Sequence, residues 1–106
     1  MTAKGAASLA HTISQDAHLV TLSGALTIES VSALYRDVKP FPQGASVTID
    51  TNGVTKADSS GLALLTALIR RAHTADARVK ILPLPTVLSS ITEIYGLQEI
   101  LSAYRA

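Results

Sequence analysis

The stretch VTIDTNGVTKADSSGL, Val47–Leu62, decides the fold because it leads an apolar strand into a helix. Val47–Ile49 is a β-branched run of the kind that a buried strand requires, and Asp50–Gly53 supplies turn-forming residues directly after it. From Leu62 the sequence LALLTALIRRAHTA predicts a long helix, because it is rich in Ala and Leu and contains no Gly or Pro. The segment Asp58–Ser60 is therefore expected at a helix N-terminus.

The Asp-Ser-Ser-Gly sequence at residues 58–61 occupies the position where a helix leaves backbone N–H groups without intrahelical partners. These groups and the helix dipole favour a side-chain oxygen or a phosphate there. Asp58 or Ser59 can cap the helix, and Gly61 allows another backbone to approach closely. A serine in this position can also serve as a switch.

Three groups of residues follow one another in this stretch: Asp50, Gly53–Val54 and Asp58–Leu62. This pattern resembles the signature of the STAS domain, a family shared by anti-sigma factor antagonists and sulfate transporter tails. The likeness extends along the chain, because Gly24–Thr27 resembles the first strand-to-helix turn of the family and Tyr95–Leu97 resembles the segment before its last helix. The resemblance implies a STAS-like fold and a role in protein interaction.

The rest of the chain alternates between strand and helix patterns. Strands are predicted at Ser8–Ser14 and His18–Ser23, which form a hairpin around Gln15–Asp16, and a helix of about a dozen residues follows, which Thr27 caps and which runs through Val38. After the long helix, the pattern predicts a strand at Arg78–Leu82, a helix that begins at Pro85 and stops near Gly96, and a short helix at Gln98–Tyr104. They predict an α/β fold with a mixed four- to five-stranded sheet that opens with the hairpin and packs against about four helices. Leu62, Leu65 and Ile69 share a helical face and are expected in the core with Val47 and Ile49.

Length and composition predict one STAS domain over residues 1–106, of which residues 1–6 are expected to be flexible. Apolar residues make up 47% of the chain and charged residues 16%, a balance that argues against disorder. The apolar stretches are shorter than the roughly 20 residues that span a bilayer, and the N-terminus lacks a secretory pattern. We therefore expect a cytoplasmic protein that does not insert into a membrane and that reaches the inner membrane through its partner.

Charge and motifs argue against several function classes. The net charge is +1 and Lys and Arg are scattered, so we expect no nucleic acid partner and interpret Arg70–Arg71 as a solvated helix face. The chain has no cysteine, no phosphate-binding loop and no spaced His and carboxylate cluster, so we expect no metal and no cofactor. Ser59 lacks a G-x-S-x-G elbow, and His11, His18 and His73 have no fixed spacing to an acid. We therefore expect that the protein is not an enzyme, since a hydrolase that used Ser59 would need an activating base nearby.

The resemblance offers two partners for Ser59. In anti-sigma factor antagonists the serine directly after the Asp is phosphorylated by a partner kinase, and this position matches Ser59. In the STAS subunits of phospholipid-transporting ABC systems, the MlaB type, the matching residue contributes to docking on the cytoplasmic ATPase subunit. Gly61–Leu65, Leu68–Ile69, Leu34–Tyr35 and Glu93–Leu97 are more similar to the MlaB type, whereas Asp-Ser-Ser-Gly is the usual antagonist form.

We therefore expect a STAS subunit that docks on and supports the cytoplasmic ATPase of an ABC transporter for phospholipid trafficking and maintenance of outer-membrane lipid asymmetry. The alternative is an anti-sigma factor antagonist that an anti-sigma factor kinase switches by phosphorylation of Ser59. In both cases the expected contact surface contains Asp58, Ser59, Ser60 and Gly61, together with Lys56, which stands where a bulky apolar residue is common in the family. The transporter interpretation also predicts an apolar docking patch near this end of the long helix.

Overall fold

Strands and helices alternate along most of the chain, as the sequence predicts. The computed structural model describes residues 11–15 and 18–104. The elements in chain order are β1 (His11–Gln15), β2 (Leu19–Leu26), α1 (Val31–Asp37), β3 (Ser46–Ala57), α2 (Ser59–Thr74), β4 (Arg78–Ile81), α3 (Thr86–Ile94) and α4 (Gln98–Ser102). This order confirms the α/β class.

The sheet is mixed, with the strand order β1-β2-β3-β4. Strands β2, β3 and β4 are mutually parallel, and β1 pairs with β2 in the antiparallel direction. Within residues 11–15 and 18–104 the sheet therefore consists of three parallel strands and one antiparallel edge strand, without the fifth strand that the sequence allowed. Some predicted features lie outside the described residues: the first six residues, residues 8–10 of the first strand, and residue 16 of the expected hairpin turn.

The core lies between the sheet and the helices. Successive residues of a strand point to opposite faces, and in β2 and β3 one face is buried while Thr21 and Thr48 on the other face stay partly exposed. The helices contribute Leu34, Leu68 and Leu88 to the same buried cluster. The expected core residues are confirmed, because all of them are buried: Val47, Ile49, Leu62, Leu65 and Ile69.

Strand β3 continues through Asp50–Gly53, which the sequence placed in a turn. Thr21 of β2 lies opposite Asp50, and Ser23 lies opposite Gly53, so two steps along β2 face three steps along β3. The extra residue forms a β-bulge, and the strand resumes beyond it and ends at Ala57. The expected turn is therefore wrong, because residues that favour turns also favour bulges inside a paired strand.

Two features of the bulge explain its sequence. The Asp50 carboxylate accepts hydrogen bonds from the backbone N–H and the side-chain amide of Asn52, each at 2.9 Å. These bonds stabilise the irregular backbone of the bulge. A Cβ atom on Gly53 would lie 2.6 Å from Cβ of Ser23, which is closer than real Cβ contacts. Glycine is therefore required where β2 and β3 approach each other here.

Helix α1 is shorter than predicted. Gly24–Leu26, expected to begin a turn, continue β2, and Thr27 heads a turn instead of capping a helix. The N–H of Ser30 donates to the carbonyl of Thr27 at 2.9 Å, and the N–H of Thr27 donates to Oγ of Ser30 at 3.0 Å. Glu29 accepts a hydrogen bond from the Thr27 hydroxyl at 3.0 Å and therefore belongs to this turn. The helix covers only Val31–Asp37, with Ser30 as its N-cap residue.

The last three elements lie close to their predicted positions. Strand β4 ends one residue earlier than expected, at Ile81, and α4 ends at Ser102. Pro85 is the N-cap residue of α3, which ends at Ile94, just before Gly96. Ile94 is 77% exposed, so the last apolar residue of this helix does not join the core. Among the described helices, none is both long enough and apolar enough to cross a bilayer.

Candidate functional site

The carboxylate of Asp58 joins separate parts of the chain at the start of α2. Its Oδ1 accepts a hydrogen bond from the N–H of Ser60 at 2.8 Å, and its Oδ2 accepts one from the N–H of Ile28 at 3.1 Å. The N–H of Asp58 itself donates to the carbonyl of Leu26 at 3.1 Å. Asp58 is therefore the N-cap residue of α2 and also fixes the turn between β2 and α1.

The pKa of Asp58 reflects opposing effects at this helix start. Desolvation is the largest single effect and raises the pKa, because it penalises the charged form. Hydrogen bonds from the backbone N–H groups of Ile28, Ser60 and Gly61, and from the Ser60 hydroxyl, together outweigh it, and the pKa of Asp58 is lowered from its usual value. The carboxylate is therefore charged at neutral pH, directly beside Ser59.

Ser59 is the first residue of α2, and its side chain is exposed. Within the described residues its hydroxyl makes no hydrogen bond. Ser60 is half-buried, and its N–H is engaged by Asp58. The structure thus separates the two roles considered for this turn, because Asp58 caps the helix and the Ser59 hydroxyl is left accessible.

Gly61 is buried, two residues after the exposed Ser59. A Cβ atom at this position would lie 3.1 Å from both the carbonyl oxygen and Cβ of Leu26, so a larger residue would push the helix away from β2. The close approach expected of this glycine is present. Its contribution to the site is to set the helix start against the end of the sheet.

Two shallow apolar grooves flank the first turns of α2. The α1–α2 groove has a volume of about 230 Å³ and is lined by Val31, Ser32, Tyr35, Ser60, Ala63, Leu64 and Ala67. The α2–α3 groove has a volume of about 300 Å³ and is lined by Ser59, Leu62, Ala63, Thr66, Tyr95 and Leu97. Neither lining contains a charged side chain, so the surface beside the two serines is predominantly apolar.

The turn after α3 places the outer wall of the α2–α3 groove. The N–H of Gly96 donates to the carbonyl of Glu93 at 3.1 Å, and the N–H of Leu97 donates to the carbonyl of Thr92 at 2.9 Å. Gly96 has a φ of 68°, a left-handed conformation that favours glycine at a helix C-terminus. This turn holds Tyr95, which is 58% exposed, and Leu97 against the groove.

Exposed apolar side chains extend this surface on its other side. Ile28 is 67% exposed, and its N–H is bonded to the carboxylate of Asp58, so its side chain lies beside the start of α2. Tyr35 lines the α1–α2 groove, and the guanidinium carbon of Arg71 lies 4.2 Å from the centroid of its ring. This cation–π contact holds the ring in place. Apolar side chains therefore lie on both sides of the Ser59 end of α2, next to the charged carboxylate of Asp58.

Ala63 lines both grooves and was not singled out by the sequence reasoning. It is exposed and lies four residues after Ser59, so the two share one face of the helix. The helical period is the signal that would have found this face, because Ala63, Thr66 and Ala67 lie four, seven and eight residues after Ser59. Lys56 is exposed on β3 opposite Ala25 and lines neither groove.

Among the described residues, no side chain accepts a hydrogen bond from the Ser59 hydroxyl, as an activating base would. His73 lies fourteen residues further along α2, about 21 Å at 1.5 Å per residue, and its Nε2 is 3.1 Å from the hydroxyl of Tyr104. His18 Nδ1 is 3.3 Å from the carbonyl of Ser46, at the start of β3. The side chain of His11 lies outside the described residues. Among the described residues no group of three or more potential ligands could hold a metal ion.

Comparison with known proteins agrees with this architecture. A family model described as "Mlab, STAS domain" matches residues 9–102. The solved structure of the anti-sigma factor antagonist SpoIIAA in its unphosphorylated form is similar, with a TM-score of 0.64 and 15% sequence identity over 92% of this chain and 86% of that chain. At this identity the likeness shows the fold alone. No curated protein matches the chain in sequence.

Proposed function

The chain belongs to the family described as "Mlab, STAS domain", and on that premise we propose that it is a non-enzymatic subunit that docks on the cytoplasmic ATPase of an ABC transporter. By docking, it supports phospholipid trafficking and the maintenance of outer-membrane lipid asymmetry. It acts in the cytoplasm and reaches the inner membrane through the ATPase, without nucleic acid, a cofactor or insertion into the membrane.

The observation that carries this proposal is the pair of uncharged grooves on either side of Ala63. A partner helix that crosses α2 can set one row of apolar side chains into each groove, as ridges pack into grooves between helices. Small side chains at Ser59, Ala63 and Ala67 allow the two helices to approach closely. The Ser59 hydroxyl, which lines the α2–α3 groove, then lies within the buried area, where a neutral group is tolerated.

The accessible hydroxyl of Ser59 favours a second candidate, an anti-sigma factor antagonist. A phosphate on Ser59 adds a charge of about −1.5 to −2 beside the charged Asp58. An anion in this position opposes docking of any partner that contacts the uncharged grooves. In this candidate the partner is an anti-sigma factor kinase, and phosphorylation of Ser59 ends its interaction with this chain.

Affinity purification from native cells followed by mass spectrometry separates the two candidates. The transporter proposal predicts recovery of an ABC ATPase together with its permease. Recovery of an anti-sigma factor kinase, with Ser59 phosphopeptides, would replace it with the second candidate. Measurable hydrolase turnover by the purified chain that is lost in Ser59→Ala would contradict both candidates.

A matched pair of variants tests the surface itself. Ala63→Arg places a long charged side chain over both grooves, and because Ala63 is exposed the fold should tolerate it. Ser90→Arg adds the same side chain at an exposed position of α3 that lines neither groove. We expect Ala63→Arg to lose the ATPase and Ser90→Arg to retain it. Equal recovery by both variants would place the contact elsewhere.

A further inference from the structure

A third groove, of about 650 Å³, lies between the C-terminal halves of α1 and α2. We refer to it as the arginine groove, because Arg70 and Arg71 form one wall; Tyr35, Val38 and Phe41 contribute to the other. Its volume falls within the range of roughly 300–1,000 Å³ that small-molecule sites occupy. The groove is therefore large enough for an organic ligand. It shares Tyr35 and Ala67 with the α1–α2 groove and extends from there to the C-terminal end of α2.

Arg71 is not the solvated residue that the sequence predicts. Its Nη1 donates a hydrogen bond to the carbonyl of Val38 at 2.9 Å, and its guanidinium lies over the ring of Tyr35. These contacts fix the guanidinium in the wall of the groove and satisfy a carbonyl just beyond the end of α1. Since a guanidinium carries five N–H donors, Arg71 keeps donors for a ligand.

Arg70 is exposed and lines the same groove. Within the part of the chain that the structure describes, its guanidinium makes no hydrogen bond or ion pair. It is not occupied in capping α2, because the carbonyl of Ala75 at the helix end accepts a hydrogen bond from the N–H of Gly44 at 2.9 Å. The charge of Arg70 is thus available for a ligand.

The charges around the arginine groove favour an anion. Two guanidinium groups line it, and none of its lining residues carries a carboxylate. The nearby carboxylate of Asp76 accepts a hydrogen bond from the side-chain amide of Gln43 at 3.0 Å, which fixes Gln43 at the rim. Two arginines together with an apolar wall suit a molecule that is anionic at one end and apolar at the other.

We propose that the arginine groove binds an organic phosphate. Arg70 and Arg71 hold the phosphate oxygens through charge-assisted hydrogen bonds, for which the guanidinium fork is well matched. Val38 and Phe41 contact the organic part of the ligand. The phosphate belongs either to a free small molecule or to the headgroup of an anionic lipid, and both sources present the same chemistry to the groove.

Titration of the full chain with phenyl phosphate, followed by amide and arginine side-chain NMR signals, tests the proposal. We expect saturable shifts at Tyr35, Arg70 and Arg71, with binding about tenfold tighter than that of inorganic phosphate because the ring buries apolar area. Benzyl alcohol, which lacks the phosphate, should give no such shifts. A second arm uses vesicles of phosphatidylcholine with and without phosphatidic acid; binding only to the acidic vesicles identifies a lipid headgroup as the source.

Charge variants decide whether the groove is responsible. Arg70→Gln removes a side chain without partners among the described residues and should weaken binding of the phosphate by at least about tenfold. Arg71→Lys keeps the charge but loses the fork, and should weaken binding while the chain remains folded. Arg78→Gln, an exposed matched control on β4, should change binding by less than about twofold. Absence of saturable binding in both arms, or equal losses in Arg70→Gln and Arg78→Gln, would overturn the proposal.

Discussion

Replacing Ser59 with glutamate places a permanent negative charge at the first residue of α2, beside the charged carboxylate of Asp58. We expect Ser59→Glu to change partner binding far more than it changes folding. The reason is that Ser59 is exposed and its hydroxyl makes no hydrogen bond among the described residues, whereas the α2–α3 groove that it lines contains no charged side chain.

The effect on stability is small because two contributions oppose each other. A negative charge at a helix N-terminus gains about 0.3–1 kcal/mol. Repulsion from the carboxylate of Asp58, about 6 Å away in a water-like dielectric, costs roughly 0.7 kcal/mol. The net change in the free energy of unfolding is therefore within about 0.5 kcal/mol, which moves the melting temperature of a domain of this size by no more than about 4 °C.

The effect on docking is large because the new carboxylate must lose water against an uncharged surface. An unpaired charge buried at an interface costs about 3 kcal/mol, which corresponds to roughly hundredfold weaker binding. Calorimetric titration of the purified partner with the wild type, Ser59→Glu and the matched control Ser90→Glu measures this directly. Weakening of less than about threefold by Ser59→Glu, or a fall in its melting temperature of more than about 10 °C, would contradict this prediction.

Other predictions concern the residues that hold the site in place. Asp58→Ala removes the acceptor for the N–H groups of Ser60 and Ile28 and should cost about 1–2 kcal/mol in urea unfolding, with part of the loss recovered in Asp58→Asn. Because the pKa of Asp58 is lowered in the folded chain, its charged form adds stability above the unfolded value of about 3.9, and this contribution is lost as the pH falls through the folded pKa. Stability measured between pH 6 and pH 2 should therefore fall more in the wild type than in Asp58→Asn, and parallel curves would contradict this assignment. Gly53→Ala should destabilise by about 1–3 kcal/mol because it forces β2 and β3 apart. The control Gly44→Ala places a Cβ where no atom lies within 4 Å, so it should cost only the strain of its positive φ, about 1 kcal/mol. A greater loss of stability in Gly44→Ala than in Gly53→Ala would argue against the close approach of β2 and β3 at Gly53.

The parts of the fold that depend on local chemistry were predictable from the sequence. The start of α2 follows from an N-cap aspartate that precedes an Ala- and Leu-rich helix, and the structure has Asp58 in this role. The end of α3 follows from Gly96, whose left-handed φ is the expected conformation at this position. The burial of Val47 and Ile49 on one face of β3 likewise follows from the two-residue period of a strand.

The parts that depend on distant neighbours were not predictable. Asp50–Gly53 has the composition of a turn, and only the pairing of β3 with β2 makes it a bulge. Arg71 has the sequence context of a solvated residue, and only the nearness of α1 gives it Val38 and Tyr35 as partners. The grooves on either side of Ala63 arise in the same way, because they exist only where α1 and the turn after α3 pack beside α2.

Hydrogen–deuterium exchange on the purified complex of this chain with its ABC ATPase tests the proposed docking surface most directly. We expect slower exchange in three segments, at residues 31–35, 59–67 and 95–97, and unchanged exchange in β4. The protection should disappear when Ala63→Arg replaces the wild type. Protection confined to β4 or to the outer face of the sheet, with residues 59–67 exchanging as in the free chain, would show that the partner does not dock on the grooves beside Ala63.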